Sequence, residues 1–181
     1  MDAVIIKYRE TRNQLARLNA AKDAKDFYLA VNAFLTAARS VLYVISFQYG
    51  WAHLKTADKA TLSLTPQQEA ERRRFDKWTE SSASWQAVLT HPLTAERHDV
   101  VHKSGQSNFI YYPQMGPGLA ASPGTPFRAA SMTRGGLPIT TEGSRFFYRR
   151  PDGSELEADQ VCQEYLDLIW KVVEDVKAHP W

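Results

Sequence analysis

Phe27-Tyr28-Leu29-Ala30-Val31-Asn32-Ala33-Phe34-Leu35-Thr36-Ala37-Ala38-Arg39-Ser40-Val41 begins an apolar stretch that runs to Phe47 and meets no glycine or proline before Gly50. Phe27, Val31, Phe34, Ala38, Val41 and Ile45 recur at helical spacing and form one stripe. Leu35 and Leu42 lie beside it and widen the apolar face. A helix this broad in its apolar face is contacted on more than one side, so it is central to a helical fold. Asp23 and Asp26 supply N-caps just ahead of it. Asn32, Arg39, Tyr43 and Ser46 gather on a second face. Arg39 either lays its stem over apolar surface with its charge in water, or helps line a polar cleft.

Working outward, Ile5, Tyr8, Leu15 and Leu18 give a first helix from about Ala3 to Ala20. Downstream, Thr65-Pro66 opens a polar helix by cap-and-proline logic, with Gln67-Gln68-Glu69 in its first turn. Arg72-Arg73-Arg74 on it is a solvated face or a phosphate contact. Ser81 to Ser84 interrupts this helix, and Trp85, Val88 and Leu89 continue toward His91-Pro92. Leu93-Thr94-Ala95-Glu96 then restarts a short helix, which Gly105 stops. Between Ser107 and Gly143, six glycines and five prolines exclude regular helix. Such a segment is a functional loop or a surface flap. Phe109 to Tyr112 reads as a short strand, and Arg145 to Arg149 as a second. Pro151-Asp152-Gly153 turns the second onto Ser154-Glu155-Leu156 as a hairpin. Val161, Tyr165, Leu168, Val172 and Val176 mark a last helix from about Ala158 to Lys177, with Cys162, Ile169 and Val173 beside the stripe.

A chain of 181 residues supports one well-buried domain, and its 44% apolar and 23% charged shares are those of a soluble globular protein. The net charge of +2 carries no polycationic tail, so any RNA contact depends on local clustering of basic groups. A single cysteine excludes an internal disulfide and a multi-cysteine zinc site, and the spacing makes Cys162 a core residue. No secretory h-region opens the chain. The purely apolar run Val41–Ile45 is far too short for a bilayer span, so the expected location is the cytoplasm, with no membrane contact.

The short helix leads into Arg97-His98-Asp99-Val100-Val101-His102. An arginine, a polar residue directly after it, and a histidine following four intervening residues resemble the catalytic motif of the HEPN superfamily (higher eukaryotes and prokaryotes nucleotide-binding). Phe27 to Val41 is also similar to the second helix of bacterial HEPN-like proteins. The likeness covers roughly residues 23–104 and the final helix, and the Pro/Gly-rich insert lies outside it. It implies an all-α, up-and-down bundle with a small β-hairpin or irregular insert at about 107–157 before the last helix, a single domain over 1–181. It further implies a homodimer whose two motif helices face one cleft. The implied activity is metal-independent endoribonuclease, in bacterial defence or a toxin–antitoxin setting with an antitoxin or regulatory partner protein. One toxin subgroup carries a modified tyrosine two residues past the histidine, where this chain has Ser104.

The residue types fit that chemistry without cofactor or metal. Histidine exchanges protons near neutral pH, and arginine presents a fixed fork of donors to phosphate. Arg97 and His102 are therefore the candidate catalytic pair, with His98, Asp99, Asn32 and Arg39 in support. In a regular helix Arg97 and His102 would lie about 140° apart around the axis. The site then needs the arginine to reach around, or a second molecule to complete it. Two other readings use the same residues. His98 and His102, at i and i+4, suit a zinc ion with His91 or Glu96 as a third ligand. Alternatively Arg97 pairs with Glu96 or Asp99 while His102 caps the helix. At the level of function, the rival to a nuclease is a non-catalytic module that binds nucleotides or RNA, or docks on a protein.

Overall fold

The computed structural model describes residues 1–50, 65–96, 108–112, 145–150 and 152–181, the side chain of Arg145 excepted. Among them are six helices and one small sheet. The helices are α1 (Asp2–Asn19), α2 (Ala24–Tyr49), α3 (Pro66–Ser81), α4 (Ala83–Thr90), α5 (92–96) and α6 (Ala158–Ala178). Strands β1 (Phe109–Tyr112), β2 (Arg145–Arg149) and β3 (Glu155–Glu157) form an antiparallel sheet in the order β1-β2-β3.

Local chemistry sets the helix limits. The Asp23 carboxylate accepts the Asp26 amide at 2.9 Å and starts α2, so Asp23 is the cap and Asp26 lies in the first turn. Thr65 and Gln68 form a reciprocal capping box at the start of α3, with Pro66 in the first turn. Ser82 both ends α3 and caps α4, accepting the Trp85 amide at 3.2 Å. The expected interruption at Ser81–Ser84 is thus a hinge between two helices, and α4 is a helix of its own. Gly50 ends α2 against α3, where an added Cβ would fall 2.4 Å from the Phe75 ring.

The inner stripe of α2 (Phe27, Val31, Phe34, Ala38, Val41 and Ile45) is fully buried, and Leu35 and Leu42 join the core from its flank. By length and composition α2 is apolar enough to cross a membrane; here it is packed by α1, α3 and α6. Each large side chain buried in this way contributes about 1.5–3 kcal/mol. On α1 the core positions are Val4, Thr11, Leu15 and Leu18, while Ile5 and Tyr8 are only partly covered. Thr11 tolerates burial because its hydroxyl donates to the Lys7 carbonyl at 2.9 Å. On α6, Leu166 is buried where Leu168 was expected. The chain's last residue closes the far end: the Trp181 indole lies 4.6 Å from Tyr49 and 5.4 Å from Trp78, and donates to the Val176 carbonyl.

The sheet is joined to the bundle by aromatic rings. Phe27 stacks on Phe146 with centroids 3.8 Å apart, and Phe109 meets Phe27 edge-on. Tyr28 donates its hydroxyl to the Phe109 carbonyl at 3.0 Å. The hairpin of β2 and β3 turns through Asp152-Gly153, with Gly153 at φ +86°, a left-handed conformation that favours glycine. The expected strand Phe109–Tyr112 joins the expected hairpin in one sheet, because β1 pairs with β2 and Tyr112 stands opposite Arg145. The fold is therefore mostly helical with a small sheet before the last helix, and not purely α.

Residues 113–144 of the expected insert lie outside the described residues. Their two ends leave from facing positions, Tyr112 and Arg145, which a two-residue turn can connect. Replacing 113–144 with Asn-Gly should leave the far-ultraviolet circular dichroism helical and the melting cooperative. A molten or aggregated product would make the insert a structural wall of the domain.

Candidate functional site

Arg97, His98, Asp99 and His102 lie outside the described residues, as does the rest of 97–107. The frame on both sides of that segment is described. α5 begins with Pro92 in its first turn. The Thr94 amide donates to the His91 carbonyl at 2.9 Å, and the Leu93 amide to His91 Nδ1 at 3.2 Å. Thr94 Oγ1 donates to the Val88 carbonyl, at 2.5 Å, and is 3.0 Å from Tyr165 Oη. Its one proton being committed, the Tyr165 hydroxyl is the donor in that second bond. The His91 ring stacks on Tyr165, centroids 4.8 Å apart. The start of α5 is thereby pinned to α4 and α6.

Glu96, immediately before Arg97, is only 1% exposed. Its carboxylate accepts the Asn108 backbone amide at 2.7 Å and the Asn108 side-chain amide at 2.6 Å. Both bonds are charge-assisted and among the stronger kinds a protein makes. Asn108 is itself held, since its carbonyl accepts the Arg149 amide at 2.9 Å. Glu96 and Asn108, the residues that flank 97–107, are thus bonded to each other and held against the bundle and the sheet. Tyr148 is buried next to this pair, and its hydroxyl pKa is pushed up to about 12. Burial is the main cause and the Glu96 charge adds to it, while the Asn108 amide opposes both.

On the other wall, Arg39 is exposed, so the cost of a buried guanidinium does not arise. Its positive field reaches Tyr165, where burial raises the phenol pKa and the Arg39 charge pulls it back. Asn32 is exposed, and its side chain makes no hydrogen bond among the described residues. Burial lowers the pKa of His91; the Arg150 cation adds to that shift and Glu164 opposes it. His91 is therefore a neutral acceptor at pH 7, consistent with its bond from Leu93.

Among the described residues no group of three histidine, cysteine or carboxylate side chains could hold a metal. The Cys162 thiol is fully buried and its pKa strongly raised by that burial, so it is inert as a nucleophile. Arg72 and Arg73 are exposed and paired within α3, to Asp76 at 3.6 Å and Glu69 at 2.6 Å, as a solvated face would be. Asn108, Tyr148 and Tyr165 carry no sequence signal that marks them. Glu96 did carry one, since Leu93, Glu96 and Val100 fall at i, i+3 and i+7 and a carboxylate on an apolar stripe needs a buried partner.

No family model matches this chain, and no curated protein or solved structure is detectably similar to it.

Glu96→Gln keeps the shape but turns an NH₂ group toward one of the Asn108 donors. It should cost about 1–3 kcal/mol in urea melts and speed hydrogen exchange at the Asn108 amide. Unchanged stability and exchange would remove the clamp from the account. For His91, the folded state resists the proton that the unfolded chain takes up below pH 6.5. Stability should therefore fall as pH drops from 6.5 toward the lower folded-state pKa. His91→Gln should flatten that slope, and an NMR titration should place His91 below 6.5. A midpoint above 6.5 would reverse the sign.

Proposed function

We propose that this protein is a metal-independent endoribonuclease of HEPN type, acting as a cytoplasmic homodimer in bacterial defence or a toxin–antitoxin pair. The observation that carries the reading is the sequence Arg97-x4-His102 on a chain whose helix order is the one that the HEPN resemblance implies. A central apolar helix, a helix start at Pro92 and a closing amphipathic helix all favour it. The clamp at Glu96–Asn108 supports it too, because catalysis by two side chains requires the segment that carries them to be held.

In this reading the substrate supplies its own nucleophile. The ribose 2′-hydroxyl loses its proton to a neutral histidine and attacks the adjacent phosphorus. The bond to the 5′-oxygen breaks, and that oxygen takes a proton from a second, protonated imidazole. The products are a 2′,3′-cyclic phosphate and a free 5′-hydroxyl. His102 from each of two subunits provides base and acid. Arg97 meets the negative charge that builds on the phosphoryl oxygens, and His98 and Asp99 orient the pair.

The test uses purified protein, total RNA and excess EDTA. Cleavage should persist and yield cyclic phosphate ends. His102→Ala should reduce it ~10²–10⁴-fold or more, and Arg97→Ala about 10²–10³-fold, with circular dichroism unchanged. Arg97→Lys should recover only part, since a point charge replaces the fork. Activity lost to EDTA and restored by zinc would move the site to the His98–His102 metal reading. Binding without turnover would make this an RNA-binding module.

A further inference from the structure

α2 has a second, outward face that the core does not use. From Phe27 through Tyr49 its only charged side chain is Arg39. Arg39 makes no ion pair among the described residues, and no carboxylate shares its face. One turn further on, Tyr43 is 66% exposed, and Phe47 lies nearly parallel to it (18° between rings, centroids 6.4 Å apart). Thr36, Arg39, Ser40 and Tyr43 line an open concavity of about 280 Å³. Ser40 spends its proton on the Thr36 carbonyl at 2.9 Å, which leaves Arg39 and the Thr36 and Tyr43 hydroxyls as the outward donors.

We infer that this face is a subsite for single-stranded RNA, with Arg39 on a backbone phosphate and the Tyr43 ring, backed by Phe47, stacking one base. The concavity is open and smaller than most small-molecule pockets, which suits one segment of an extended polymer passing over it. An uncompensated guanidinium complements a polyanion, and a hydroxyl donor beside it can share the same phosphate. An exposed aromatic ring next to that cation is the pairing by which single strands are held without sequence preference. The inference rests on the ribonuclease reading for the identity of its ligand.

Fluorescence anisotropy with a labelled 2′-O-methyl oligonucleotide of about 12 residues reads binding alone, since the blocked 2′-oxygen cannot attack. Tyr43→Ala should weaken binding about 5- to 100-fold and Tyr43→Phe should retain it, because only the ring is needed. Arg39→Ala should weaken binding and lower the slope of log affinity against log salt by about 0.7, the value for one phosphate on a single strand. All three side chains involved are exposed, so thermal melts should not move. Wild-type binding that is indifferent to Tyr43→Ala would overturn the subsite. If the same protein still cleaves RNA, the ribonuclease reading stands without it. A wild type that neither binds nor cleaves RNA would overturn both. Conversion of a dimer to a monomer by Tyr43→Ala, read by light scattering, would assign the face to a second copy of the chain and overturn the subsite as well.

Discussion

The packing of α2 is the constraint on which the rest depends. Its inner stripe is completely buried, and α1, α3 and α6 all pack against it. Phe27, at its first turn, also stacks on Phe146 and meets Phe109, so the same helix carries the sheet. That places two strands that are distant in sequence against one fixed ring. Without it, three short strands would have too little apolar surface to persist on their own.

From that frame follows the way the two residues flanking 97–107 are held. One end is fixed through α5, whose first turn is bonded to α4 by Thr94 and stacked on α6 by His91. The other end is fixed through β1, which α2 holds by the Tyr28 hydroxyl. Glu96 and Asn108 join the two ends directly. A buried carboxylate is costly to desolvate and is retained where it gains strong donors. Here the donors belong to Asn108, twelve positions along the chain, so the bond joins the end of α5 to the start of β1.

Much of this was legible in the sequence because its signals are local. The Asp23 cap, the Thr65-Pro66 start, the break at Ser82 and the strand limits at Phe109 and Arg145 each follow from a few adjacent residues. The pairing of β1 with β2 was hidden, since the long segment 113–144 separates them and register is a property of the folded pair. The same holds for the cluster of Tyr165, Thr94 and His91, which comes from three helices and has no spacing to read. On α1 the residues Val4 and Ile5 are both apolar, and only the neighbour that α1 meets decides which of them is buried. Of the candidate site, Arg39 was legible as an odd charge in an apolar helix, whereas Asn108 was an ordinary loop residue.

The two faces of α2 answer to different demands. A helix with this composition could be taken for a membrane span, where all sides face lipid and a lone arginine would be expensive. In this bundle the inner face accounts for the fold, because every core position of α2 lies on that side or on its flank. Leu29, Tyr43 and Phe47 are then exposed apolar groups that folding does not require and that favour aggregation. The exposed rings one and two turns beyond Arg39, a cation with no ion pair among the described residues, are better explained by something that covers them in the working state than by the stability of the isolated chain. Changes on that face can therefore alter what the protein binds without altering what it is folded into.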